Sequence, residues 1–164
     1  MRFRIGLGYD IHPFGDGEPL VLGGVPIDGS ARLAGHSDGD AVAHAVSDAI
    51  LGAAGLPDLG TLYPATDDRW RDADSMAMLS EIAARVAQDR WWVGNVDVVV
   101  AAESPKLAPH VETMVKNVSN ALTPAREPMG EHIVVSIKPK RGEGLGAIGR
   151  AEGIAVWAVV MLGR

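Results

Sequence analysis

Ile5-Gly6-Leu7-Gly8-Tyr9-Asp10-Ile11-His12 is a short apolar segment that carries a carboxylate and an imidazole two residues apart. Arg4 to Tyr9 predicts a first strand. In extended chain, side chains two apart point the same way, so Asp10 and His12 share a face. The segment to set beside it is His36-Ser37-Asp38-Gly39-Asp40-Ala41-Val42-Ala43-His44. Asp38 to Ala54 has helical spacing, with Ala41, Val42, Ala45, Val46, Ala49 and Ile50 as an apolar stripe. Ser37 or Asp38 is the expected N-cap, and Gly55 ends the helix. Asp40, His44 and Asp48 fall on one face of it. If strand and helix converge, Asp10, His12 and His44 form a three-ligand zinc set with a fourth position open, which catalytic zinc requires. Asp40 or Asp48 then orients the His44 imidazole from behind. The plainer alternative is a capped helix whose carboxylates are solvated on its outer face.

The remaining chain alternates strands and helices without a repeat, a low-complexity tract or a linker. Leu20 to Gly24 and Val25 to Ile27 are short extended pieces around a Gly-Gly turn. Leu56 to Asp74 is rich in Pro, Gly, Asp and Thr and reads as a long loop, a feature often tied to function. A second helix is expected from Asp74-Ser75 to about Ala87, and a third from Pro109 to Leu122. Val96 to Ala101, Ile133 to Lys138 and Ile154 to Leu162 read as strands. Their Val and Ala runs suggest burial on both faces, which points to a sheet packed on helices plus a subunit interface.

The 164 residues are expected to make one domain. The chain is 47% hydrophobic and 22% charged, enough to bury a core. Its net charge of −6, from 15 basic and 21 acidic residues, argues against nucleic-acid binding, which needs a basic surface. An acidic protein binds phosphates through metal ions, backbone N–H groups or a few placed lysines. With no cysteine, a zinc site must use histidine and carboxylate. The N-terminus lacks the apolar core of a signal peptide. The longest apolar run, Gly153 to Gly163, is too short to span a bilayer. No membrane partner is expected, and a cytoplasmic location is.

Three further motifs have both a chemical and an ordinary reading. His36 and Ser37 precede a helix N-terminus, where free N–H groups attract anions; the same residues are ordinary capping chemistry. Ala102-Glu103-Ser104-Pro105-Lys106-Leu107 follows a buried strand and is either a ligand-holding loop or a plain turn. Gly142-Glu143-Gly144-Leu145-Gly146-Ala147-Ile148-Gly149-Arg150 is a glycine-rich loop. It has room to cradle phosphate and one carboxylate to offer magnesium, but it lacks the Walker pattern. Met76, Met78, Trp91 and Trp92 are assigned to packing, and His110 and His132 to structural roles.

Taken together, these motifs resemble the 2-C-methyl-D-erythritol 2,4-cyclodiphosphate synthase family. The matching blocks are Gly8 to His12, Leu22 to Val25, His36 to Asp40, His44, Asp48 to Ala53, Asp58 to Gly60, Tyr63-Pro64, Gly94 to Asp97, Ser104 to Leu107 and Gly149 to Ala155. The resemblance runs nearly end to end. It implies a homotrimer of α+β subunits, each a mixed β-sheet packed on one side by helices, with active sites between neighbours and sheets facing the trimer axis. It implies Zn2+, or another divalent transition metal, at Asp10, His12 and His44, and Mg2+ or Mn2+ held with the diphosphate through Glu143. It implies a cytidine diphosphate substrate, 4-diphosphocytidyl-2-C-methyl-D-erythritol 2-phosphate, whose 2-phosphate attacks the β-phosphorus and releases CMP.

The same resemblance assigns transition-state stabilisation to His36 and sets Ala102, Glu103, Ser104, Pro105, Lys106 and Leu107 against the nucleotide. Asp58, Leu59, Gly60, Tyr63 and Asp67 line the methylerythritol end, and Asp10, His12 and Ser37 also meet the substrate. The chain departs from the family pattern in the segment before Glu143. Lys140, Arg141 and Gly142 replace hydroxyl-bearing residues, and Arg141 stands at a second transition-state position. Lys140 and Arg141 either strengthen phosphate binding as cationic donors or displace the nucleotide by their length. Ala147 replaces a phenylalanine that, with Arg150, lines a central channel in the family, and Ala65 stands where an aspartate is common. Two alternative functions follow from the same residues: a zinc phosphohydrolase, and a non-catalytic trimeric cytidine-nucleotide-binding protein.

Overall fold

In the computed structural model, which describes residues 2–35, 37–126 and 132–164, the first strand is longer than its sequence suggests. β1 runs Phe3–Pro13, and from Ile5 onward its residues alternate between two environments. Phe3, Ile5, Leu7, Tyr9 and Ile11 are exposed on one face, while Gly6 and Gly8 are buried on the other. Next comes the hairpin β2 (Leu20–Leu22) and β3 (Val25–Ile27), paired antiparallel. Gly23 and Gly24 turn it with φ of 55° and 67°, two successive positive values that favour glycine and suit a tight hairpin.

The helix α1 (Ala41–Ala54) follows and ends at Gly55. It lies directly on β1 because Gly6 and Gly8 carry no side chain. A Cβ at Gly6 would sit 1.9 Å from the carbonyl oxygen of Ala49, and one at Gly8 1.9 Å from that of Ala45. The stripe Ala41, Val42, Ala45, Val46, Ala49 and Ile50 is fully buried there. The expected long loop contains a short helix, α2 (Leu59–Leu62), and a 3-10 turn at Asp68–Trp70. Asp58 and Asp67 start these pieces by accepting the N–H groups of Thr61 and Arg69.

α3 (Ser75–Gln88) starts at its N-cap Asp74. It is followed by β4 (Trp92–Ala101), α4 (Val111–Ala121), β5 (Val134–Lys140), the single turn α5 (Gly146–Gly149) and β6 (Gly153–Gly163). The four long strands form one mixed sheet in the order β1-β6-β4-β5, with β4 and β5 parallel and the other pairs antiparallel. α1 covers β1 and β6, α4 packs beside β5, and α3 packs on both helices. The core lies between the sheet and this layer, where Val96, Val98, Val100, Val156, Ala158 and Val160 face inward.

Two sequence expectations change. The late strands are not buried on both faces of this chain: Val134, Trp157 and Val159 are exposed. With the odd residues of β1 they make one apolar outer face, on which Tyr9 pairs with Trp157 and Leu7 with Val159. The N-cap of α1 is Asp40 rather than Ser37 or Asp38. Its carboxylate accepts N–H groups from Val42 and Ala43 and also from Gly23 and Gly24 in the hairpin turn. Asp40 thus ties the turn to the helix start, a tertiary role that capping preference alone does not reveal.

Candidate metal centre and nucleotide cleft

The contact of strand and helix at Gly6–Ala49 and Gly8–Ala45 sets the register of the site. One step further, Asp10 meets His44: the carboxylate Oδ2 lies 3.0 Å from His44 Nδ1 and 3.1 Å from His12 Nε2. All three side chains are partly buried, and their ligand atoms lie within 4.8 Å of one another. They are the one His, Asp and Glu group of this kind among the described residues.

The polar contacts of this group fit a metal ion. His12 Nδ1 is 2.6 Å from the carbonyl oxygen of Ala34. A carbonyl only accepts, so Nδ1 carries the ring proton and the neutral ring turns a bare Nε2 toward Asp10. A lone pair facing a carboxylate oxygen at this distance needs a cation between them. Without metal, that cation is a proton. Hydrogen bonding to Asp10 raises the His12 pKa above its ordinary value, against the opposing effect of burial. Burial pushes the Asp10 carboxyl up, yet hydrogen bonds and charge from His12 and His44 outweigh it and lower its pKa to about 2. Asp10 is therefore a full anion, the state a metal ligand needs.

The residues expected to orient His44 do not. Asp40 is wholly buried and occupied by backbone N–H groups. Asp48 accepts the N–H of Leu59 at 2.7 Å and so fixes the entry to α2. Ser75 and Ser37 take that place instead, with Oγ atoms 2.9 and 3.1 Å from His44 Nε2. Ser75 lies 31 residues from His44 in sequence, beyond any local pattern.

A cavity of about 280 Å³ opens over the metal group. Asp10, His12, Ser37, Leu59, Gly60 and Tyr63 line it, as expected, together with His44, Asp48, Ala65, Trp70 and Met78. Asp58 and Asp67 sit beside this wall, engaged as caps, and Asp67 also pairs with Arg69. Burial, then the charge of Glu81, pushes the Tyr63 phenol up to about 12. The Trp70 indole N–H is buried without a hydrogen-bond partner among the described residues. His36 lies outside the described residues.

A second cleft of about 500 Å³ lies where β4 and β5 end, lined by Ala102 to Pro109 with Pro139, Lys140 and Arg141. All six residues expected against the nucleotide, Ala102 to Leu107, are on its wall. Glu103 forms an ion pair with Arg141 and accepts the N–H of Gly142 at 3.0 Å. Its carboxyl is held below the ordinary range by the Arg141 hydrogen bond, against burial. Glu143, Ala147 and Arg150 are exposed and lie off the lining of both cavities, and Arg150 pairs with Glu152.

The model of the YgbB family matches residues 3–163. The chain belongs to that family. Relatives that match this chain over nearly their whole length are named for one reaction. A 2-C-methyl-D-erythritol 2,4-cyclodiphosphate synthase from Bordetella avium is 49% identical over 162 residues, covering 99% of this chain and 96% of the relative. The synthase of that name from Pseudomonas aeruginosa is 48% identical over 159 residues, 97% of this chain and 98% of the relative. Among solved YgbB-type structures, the bifunctional IspDF of Campylobacter jejuni superposes with a TM-score of 0.88 at 40% identity, covering 98% of this chain and 42% of that one. A CDP complex of Plasmodium falciparum IspF gives a TM-score of 0.80 at 34% identity, covering 98% and 95%. Among the described residues, no helix is long and apolar enough to cross a membrane.

Proposed function

We infer that this protein converts 4-diphosphocytidyl-2-C-methyl-D-erythritol 2-phosphate to 2-C-methyl-D-erythritol 2,4-cyclodiphosphate with release of CMP. It is then a cyclising, metal-dependent phosphorus–oxygen lyase of isoprenoid precursor synthesis. The observation that carries this reading is the convergence of Asp10, His12 and His44 at the floor of a cavity, in a chain with near-complete likeness to synthases of that name.

The reaction balances without a protein nucleophile. An oxygen of the 2-phosphate bonds to the β-phosphorus, and the bond from that phosphorus to the oxygen bridging to CMP breaks. CMP leaves with the electron pair and that oxygen. Two anionic phosphates must meet, so catalysis consists of positioning and charge compensation. A divalent metal at Asp10, His12 and His44, which we take to be zinc, supplies Lewis-acid polarisation of a phosphate oxygen. Glu143 is proposed to offer a carboxylate to a second ion, Mg2+ or Mn2+, that travels with the diphosphate. Lys106, Lys140 and Arg141 bring cationic donors to the nucleotide cleft, and His36 keeps the transition-state role its motif implies. Leu59, Gly60 and Tyr63 shape the methylerythritol end.

We further propose that the working unit is a homotrimer. The apolar outer face supports this: Ile5 and Leu7 are 74% and 66% exposed, a pattern that marks an association surface when contiguous. The two cavities share no lining residue. One lies at the β1 edge of the sheet and the other at the β4–β5 end. The sheet order puts three strand spacings, about 14 Å, between Asp10 and Pro139. A neighbouring copy that brings its own nucleotide cleft to this metal centre removes that gap.

The test is incubation of purified protein with the cytidyl substrate, zinc and magnesium, followed by phosphorus NMR. The cyclic diphosphate and CMP are expected. No CMP release above a His44→Ala control refutes the assignment, and linear products indicate a phosphohydrolase instead.

A further inference from the structure

A chain of polar groups stands behind the metal-facing edge of His44. Ser75 Oγ lies 2.5 Å from Asp38 Oδ1, and the Ser75 N–H donates to Asp38 Oδ2 at 3.1 Å. The same Oγ lies 2.9 Å from His44 Nε2. Ser75 is the first residue of α3 and is 1% exposed, so water does not compete for its hydroxyl. Asp38 belongs to the loop before α1, and its N–H donates to the carbonyl of Ala73 at 3.3 Å. Loop, helix start and imidazole are thus locked together.

The direction of each proton follows from what each group can do. A carboxylate only accepts, so the Ser75 hydroxyl donates to Asp38. The Ser75 oxygen then has only lone pairs to present to His44. Nε2 must carry the ring proton, and Nδ1 is left bare. Nδ1 is the nitrogen that faces Asp10 Oδ2 at 3.0 Å.

Ser37 reaches the same Nε2 at 3.1 Å, but it differs in one respect. Its Oγ accepts the N–H of Gly39 at 3.3 Å and lies 3.3 Å from Ser75 Oγ, and among the described residues no carboxylate fixes its hydrogen. It supports the ring without dictating the tautomer.

We propose that Ser75, oriented by Asp38, is a positioning residue that holds His44 in its Nε2–H tautomer and so presents Nδ1 as the metal ligand. This rests on the metal-centre reading of the proposed function. Partners of this kind behind a ligating histidine fix its tautomer and ring orientation, and their loss weakens metal binding by about 10- to 100-fold.

Two measurements test it, neither of which needs turnover. The first is long-range proton–nitrogen correlation NMR of the wild-type ring. It is recorded on metal-free protein above the imidazole titration range and on zinc-loaded protein. His44 is expected as Nε2–H in both states, with zinc shifting Nδ1. An Nδ1–H tautomer, or zinc on Nε2, overturns the proposal whatever the variants do.

The second is competition of zinc alone against a chromophoric chelator. Ser75→Ala is expected to lose about 10- to 100-fold in affinity, and Ser37→Ala distinctly less. Unchanged affinity in Ser75→Ala overturns the proposal while leaving the metal centre standing. Wild-type protein that binds zinc no better than His44→Ala removes the metal-centre reading and this inference with it.

Discussion

The contact of α1 on β1 at Gly8 also sets the metal site, so Gly8→Ala is a demanding test of the structure. The new methyl would stand 1.9 Å from the Ala45 carbonyl oxygen, 2.8 Å from the Ala49 nitrogen and 2.9 Å from the Ala45 carbonyl carbon. All three are backbone atoms, so no rotamer change relieves the contact. To reach even 3.0 Å, α1 must withdraw from β1 by at least about 1 Å. Removing glycine from a strand favours folding by roughly 0.5–1 kcal/mol. Overpacking opposes it by about 1–3 kcal/mol, and this site belongs at the upper end because the partner is a helix backbone. The net expectation is a loss of about 2 kcal/mol in urea unfolding of the metal-free protein. The same withdrawal carries His44 away from Asp10 and His12, which stay on β1. Metal–ligand distances tolerate about 0.2 Å, so zinc affinity should fall by on the order of 100-fold. Gly52→Ala is the control: its added Cβ meets nothing within 4 Å in the same helix. It should gain roughly 0.5–1 kcal/mol and leave zinc affinity unchanged. Ala45→Gly should not rescue Gly8→Ala, because the obstruction is a carbonyl oxygen. Wild-type stability and affinity in Gly8→Ala, or rescue by Ala45→Gly, would refute the reasoning.

Leu7→Glu places a charge in the exposed apolar face without touching the core, so light scattering should report the mass of a single chain while circular dichroism stays native; an intact assembly argues for a different interface. Tyr63 is one of two tyrosines, and its folded pKa of about 12 lies above the ordinary 10. Its stabilising contribution is therefore complete below the unfolded value and is lost as pH rises from there through about 12. Glu81→Gln should bring this phenol's absorbance titration down; an unchanged midpoint leaves burial as the sole cause. Glu103→Gln keeps an acceptor for the Gly142 N–H but releases Arg141 from its ion pair. CDP should then bind a few-fold more tightly at low salt, with the gain vanishing at high salt. Weaker binding would assign Glu103 to holding the loop in shape.

How much of this was legible in the sequence depends on the range of the interaction behind each feature. Asp10 and His12 were readable because strand alternation is local, and His44 because helical spacing put it beside an apolar stripe. The expected first strand, Arg4 to Tyr9, missed by one residue at its start and four at its end because pairing with β6 extends β1 to Pro13, a long-range effect. Ser37 and Asp38 were the caps expected on local grounds, and the helix starts later, at Asp40. Asp40 wins because only its carboxylate also meets the Gly23 and Gly24 N–H groups. Spacing placed Asp48 on the face of His44, yet α2 claims that carboxylate through Leu59. Ser75 carried no signal at all, since an N-terminal serine on a helix is ordinary. The glycines of β1 were visible but mute: alternation with Ile5, Leu7 and Tyr9 says which face they share, not that a helix backbone lies against them. That contact separates two kinds of information in one segment. The odd residues of β1 are written for a neighbour outside the chain, and the even ones for α1 and the metal. A change on the odd face should therefore alter assembly while zinc affinity in the isolated subunit survives, and a change on the even face should do the reverse.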